Sequence, residues 1–199
     1  MAGRDEIVAT ADIALTRVHD GRPAKSFIAI GLRGVGKTVV LNKVQRIADD
    51  QGYQSAYIEA HDEMQLAQAV ATALRPVLLR LDRTAGVKDH ISNALGALRG
   101  FAGAFRLTYG DFDFGVEAPK GTADSGDLAV DLPDLLLAVG KAAASRKTAV
   151  ALIVDELQYI GEREISALIM GINRLNQRQL PLILFCAGPP QLRGTLGCV

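Results

Sequence analysis

The stretch Gly31-Leu32-Arg33-Gly34-Val35-Gly36-Lys37-Thr38 limits the fold of this chain more than any other, because it satisfies every fixed position of the pattern G-x-x-x-x-G-K-[ST]. Before it, Phe27-Ile28-Ala29-Ile30 is a short apolar run that reads as a buried strand. After it, Val39, Val40, Leu41, Val44 and Ile47 recur at helical spacing. The strand–loop–helix unit that results belongs to α/β folds whose parallel sheet is covered by helices on both faces.

Residue types in the loop match the needs of a polyphosphate. Glycines at 31, 34 and 36 let the backbone come close and take φ values that side chains block. Amides of residues 33–38 can then converge as an anion nest, reinforced by the N-terminus of the next helix. The expected nucleotide contacts are Gly31, Arg33, Gly34, Val35, Gly36, Lys37, Thr38 and Val39. Lys37 is expected between the β- and γ-phosphates as a catalytic cation. The Thr38 hydroxyl is expected on Mg²⁺, which prefers hard oxygen ligands.

A second feature completes the pattern. Ala149-Val150-Ala151-Leu152-Ile153-Val154-Asp155-Glu156 is an apolar strand ending in two acids. Such a strand delivers its acids to the carboxyl edge of the sheet, where open α/β folds bind ligands. Asp155 is expected to hold the Mg²⁺ shell through water, and Glu156 to act as general base on the attacking water. An acidic pair here favours hydrolysis over transfer to a small acceptor, which disfavours a P-loop kinase. The guanine-reading pattern N-K-x-D is absent, since Asn42-Lys43 is followed by Val44-Gln45. A Rossmann dinucleotide pattern is not matched either, so ATP is the expected nucleotide.

The remaining sequence fills out one α/β domain in 199 residues, 49% hydrophobic and 22% charged. A net charge of zero gives no sign of a basic face, although a local patch or a missing domain could supply one, so DNA is expected only indirectly or through a missing domain. Met1 to Asp20 lacks a signal-type apolar core, and runs such as Ala149–Val154 are too short to span a bilayer. No membrane partner and a cytoplasmic location are expected. Cys186 and Cys198 suggest no disulfide framework. Helices are expected over 6–18, from the loop to Asp50, from Asp62 as N-cap with Gln65 as its capping-box partner, over 89–98, over 132–145 capped by Asp131, and over 165–175. Pro76 should kink or split the third of these. Further strands are expected over 55–59 and 182–186. Gly110-Asp111 between Phe105–Tyr109 and Phe112–Glu117 predicts a hairpin, followed by a mobile loop over 118–127.

Taken together, Gly31–Thr38, Asp155-Glu156 and the insert between them resemble AAA-superfamily ATPases of the origin-recognition and STAND type, a three-layer P-loop NTPase fold. The run Gly-Leu-Arg-Gly-Val-Gly-Lys-Thr is most similar to bacterial ATP-binding proteins of that group. Gly3-Arg4-Asp5-Glu6 resembles the family's N-terminal box, which implies Arg4 near the adenine. The resemblance also implies a β1–β4–β3 sheet core with the second strand at one edge. It casts residues 1–199 as an AAA-type core, incomplete at its C-terminus, with a helical and hairpin insert at about 84–127. Where the family carries a polar γ-phosphate sensor, this chain has Phe185-Cys186-Ala187-Gly188, and Cys186 is expected to be a buried apolar residue. Without a fifth strand, the edge of 26–30 should recruit a protein partner or a second copy. Arg174 and Arg178 are expected to be solvated helix arginines rather than fingers on a neighbouring nucleotide. His19, His61 and His90 have no ligand spacing. Phe101, Phe105, Tyr109, Phe112 and Phe114 are expected to form a small core. Two functions compete: slow ATP hydrolysis coupled to a DNA-associated or signalling assembly, and a nucleotide-gated interaction module with negligible turnover.

Overall fold

The computed structural model describes residues 2–32, 34–83, 89–107 and 121–192, with side chains from residue 5 onward. In chain order the elements are α1 (Ala2–His19), β1 (Phe27–Ile30), α2 (Lys37–Asp50), β2 (Gln54–Glu59), α3 (Leu66–Asp82), α4 (Asp89–Ala104), α5 (Leu128–Ser145), β3 (Val150–Asp155), α6 (Glu162–Gln177) and β4 (Leu182–Gly188). A single 3-10 turn, Leu157–Tyr159, joins β3 to α6. The four strands form one parallel sheet in the order β1-β4-β3-β2.

Alternation along the strands explains the layers. Val150, Leu152, Val154, Leu182, Leu184 and Cys186 face the larger core, built with α3, α4, α5 and α6. Ala149, Ala151, Ile153, Ile183, Phe185 and Ala187 face the smaller core with α1 and α2. Buried on both faces, β3 and β4 read as unbroken apolar runs, the pattern of central parallel strands. Asp155 is the exception that the run delivers to the sheet's carboxyl edge.

Several local expectations are corrected. The N-cap of α3 is Gln65, not Asp62, and Glu164 of α6 accepts from the Leu66 amide at 3.1 Å. The same carboxylate takes the Gly161 amide at 3.1 Å, so it serves the starts of two helices. Pro76 leaves α3 as one continuous helix, because Val70, Leu74, Val77, Leu78 and Leu81 bury themselves on both sides of it. That burial outweighs the roughly 3 kcal/mol cost of an interior proline.

Asp127, not Asp131, caps α5, accepting from the Ala129 amide at 3.0 Å. Asp131 lies one turn in, buried, and takes the Ser125 amide, the Ser125 hydroxyl and the Gly126 amide. Those bonds tie down the described part of the 118–127 segment. Helix α4 extends to Ala104, and Phe105–Leu107 form its terminal turn, with the Leu107 amide on the Ala102 carbonyl at 2.9 Å. The rest of the expected hairpin, with Tyr109, Phe112 and Phe114, lies outside the described residues. Phe101 and Phe105 do pack together, ring centroids 4.7 Å apart.

Candidate nucleotide site

The loop between β1 and α2 starts where β1 ends against β4, with the Gly31 amide donating to the Gly188 carbonyl at 3.1 Å. Gly34 and Gly36 take φ of 81° and 83°, left-handed values that strain any residue with a Cβ. Gly36 is the N-cap of α2, and no side chain caps this helix. Its first turn contains no acidic residue, whereas α5 and α6 meet carboxylates at their N-termini. Amides of Lys37, Thr38 and Val39 therefore have no intrahelical partner and no side-chain cap, a ready anion site. Val39 and Leu32 are exposed beside the loop.

Lys37 folds back over this loop, its Nζ donating to the Gly31 and Leu32 carbonyls, both at 3.1 Å. The Thr38 hydroxyl donates to Asp155 Oδ2 at 2.6 Å, closing a sequence gap of 117 residues. Asp155 is 1% exposed and receives two more donors, the Glu156 amide on Oδ1 at 2.8 Å and the Tyr57 hydroxyl on Oδ2 at 3.3 Å. Burial, then the neighbouring Asp155 charge, pushes the Tyr57 phenol well above its usual range. Tyr57 therefore keeps its proton and acts as a donor.

Glu156 is half-buried and sits at φ 54°, ψ 45°, an uncommon conformation for a residue with a side chain. Gln158 Nε2 holds its Oε2 at 2.5 Å. Gln158 also lies beside the end of β4, near Gly188. Cys186 is buried in the larger core, where desolvation raises its thiol pKa far above the usual value, so it behaves as an apolar residue.

The structure thus gathers Gly31, Gly34, Val35, Gly36, Lys37, Thr38, Val39, Asp155 and Glu156 at one end of the sheet. Arg33 lies outside the described residues, as do the side chain of Arg4 and all of Cys198. The first turn of α1, which carries Arg4, lies against α2, where Asp5 Oδ1 is 4.0 Å from Lys43 Nζ. Arg174 is paired with Asp134 of α5 at 3.2 Å, an ion pair within the helical layer. No group of three or more His, Cys, Asp or Glu side chains placed to hold a metal ion occurs among the described residues. Among them, too, no helix is long and apolar enough to cross a membrane.

Sequence reasoning missed two residues here, Tyr57 and Gln158. Tyr57 carried one signal: an aromatic hydroxyl on an inward position of a strand next to the acidic one. Gln158 carried none beyond its position two residues after Glu156.

The donor set fits a nucleotide with Mg²⁺. Glycines with left-handed φ and uncapped helix amides suit phosphate oxygens, and a hydroxyl bonded to a carboxylate suits a hard cation. No curated protein matches the sequence. A solved structure of PCH-2 from C. elegans is similar over 98% of this chain and 40% of that chain, at 13% identity and a TM-score of 0.47. The chain therefore spans less than half the length of that protein. A family model described as AAA ATPase domain matches residues 1–185. With that match running along nearly its whole length, the chain belongs to the AAA ATPase domain family, whose members bind ATP.

Proposed function

We propose that this protein binds ATP with Mg²⁺ at the carboxyl edge of its sheet, hydrolyses it slowly, and passes nucleotide state to a DNA-associated or signalling assembly. The observation that carries this reading is the 2.6 Å bond from Thr38 to Asp155, which joins the loop to the acidic strand. When bound, Mg²⁺ supplies charge neutralisation on the β- and γ-phosphate oxygens. Thr38 would hold it directly and Asp155 through water. Lys37 would exchange two neutral carbonyls for anionic phosphate oxygens, a stronger class of hydrogen bond. Glu156 would take the proton of the attacking water, in line with the γ-phosphate. Arg4 and Val39 would flank the base and sugar, supported by the seating of α1 against α2.

A second reading, a nucleotide-gated module with negligible turnover, is favoured by the Gln158 bond on Glu156 and by the burial of Cys186 at the sensor position. Residues 1–199 act as one AAA-type core in either case, its insert at about 84–127 supported by burial of Ile91, Leu98 and Phe101. The origin-recognition and STAND assignment rests on Gly3-Arg4-Asp5-Glu6 and the loop sequence. A protein partner or second copy would use the outer edge of β1.

Calorimetry with ATP and Mg²⁺, followed by phosphate release, tests the reading. Lys37→Ala should weaken ATP binding at least tenfold, the loss of one charge-assisted contact of about 1.5–3 kcal/mol. Glu156→Gln should bind ATP normally and lose roughly 100-fold in turnover. Wild-type protein that binds without turnover supports the second reading; a flat binding trace refutes both.

A further inference from the structure

We infer that Tyr57 is a positioning residue that holds the Asp155 carboxylate for the Mg²⁺-bearing form of the nucleotide. The inference rests on the nucleotide reading above and extends it to a residue on β2. Alternation along β2 sends Ala56 and Ile58 into the larger core, and turns Tyr57 toward the face shared with α1 and α2. The register pairs Tyr57 with Ile153 and Glu59 with Asp155, so Tyr57 stands diagonally across from Asp155 on the same sheet face. Its hydroxyl crosses that diagonal and donates to Oδ2 at 3.3 Å.

A carboxylate buried as deeply as Asp155 needs donors to stay charged and to stay oriented. Oδ1 is held by the Glu156 amide, from the chain itself. Oδ2 is held from two sides: by Thr38 on α2 and by Tyr57 on β2. Thr38 is the residue whose oxygen must also serve the cation, so its bond to Asp155 must adjust when metal arrives. Tyr57 does not touch the loop through any described hydrogen bond, and supplies the fixed side of the clamp. Without its hydroxyl, Asp155 keeps the Glu156 amide on Oδ1, but Oδ2 retains only the donor that moves with the metal. The phosphate grip itself, made by main-chain amides and Lys37, does not involve Tyr57.

Calorimetry on the full chain separates these contributions. Tyr57→Phe keeps the ring and removes the hydroxyl. In EDTA it should bind ATP within twofold of wild type. With ATP saturating, the Mg²⁺ concentration that half-completes the metal-dependent signal should rise about five- to tenfold. Mn²⁺ electron paramagnetic resonance should show the same shift without reference to turnover. Tyr57→Met, which fills similar space without a hydroxyl, should reproduce it on a differently packed side chain. An unchanged metal midpoint in both folded variants overturns the inference while leaving ATP binding intact. Equal weakening with and without metal also overturns it, since that marks general damage to the site. Wild-type protein that binds no ATP overturns the nucleotide reading and this inference together.

Discussion

At the scale of single residues, tyrosine hydroxyls make fastening contacts near both ends of β2. Tyr53 is buried and donates to the Leu15 carbonyl at 2.6 Å, fastening α2's exit to α1. Burial raises its phenol above the ordinary value of 10.0. Below pH 10 both folded and unfolded chains keep this proton, and stability is unaffected. Above it the unfolded chain loses the proton first, so stability falls by up to about 1.4 kcal/mol per pH unit until the folded group also titrates. Urea unfolding between pH 9 and 11 should show this slope added to a like one from Tyr57, and Tyr53→Phe should reduce the total by its own share while costing about 1 kcal/mol at neutral pH. The site residues divide in the same way between the legible and the hidden. That Lys37, Thr38, Asp155 and Glu156 meet at one end of the sheet was legible, because the motifs that carry them fix residue type and spacing. Tyr57 and Gln158 were not, because their roles depend on register and on a turn that a linear pattern does not encode.

Among the elements, the helices were legible in existence and less so at their ends. Periodicity located all six helices of the described residues, yet two caps were misassigned for one reason: each segment offers several carboxylates within a turn, and tertiary contacts choose between them. Asp131 is drawn inward by three donors, which leaves Asp127 as the cap. For α3 the choice falls on Glu164, a residue from another helix. Glu164→Ala should cost about 2–3 kcal/mol in denaturant unfolding, because two helix starts lose a charged acceptor at once. Glu164→Gln retains only one acceptor oxygen and should lie between.

The crossing of α5 and α6 was not legible at all. A Cβ on Gly171 would lie 2.7 Å from Leu136 Cδ1 and 3.3 Å from Pro133 Cα, and one on Gly140 would lie 2.8 Å from Leu175 Cδ2. Both glycines let the helix backbones approach. Gly171→Leu should lower stability by about 2–4 kcal/mol, despite the better helix propensity of leucine. Equal melting temperatures for the variant and the wild type would refute the close-packing account.

For the whole molecule, the sheet order followed from the resemblance, and the burial of both central strands followed from composition. Among the described residues β1 pairs only with β4. Since the Gly31 amide points to β4, alternation turns the Ile28 and Ile30 amides to the opposite side. Hydrogen exchange on isolated chains should find those two amides faster than Ala29, and slowed at concentrations where a partner or second copy associates. Fast exchange unchanged by association would remove β1 as the docking edge. The larger core joins α3 to α6 behind the sheet, far in sequence from the phosphate loop. Yet Gly161, five residues past Glu156, shares its acceptor with Leu66 at the head of α3. Any displacement of the turn that follows the acidic pair must either drag that remote helix along or snap one of two bonds to Glu164. One side chain therefore joins the turn after Asp155-Glu156 to the first turn of α3.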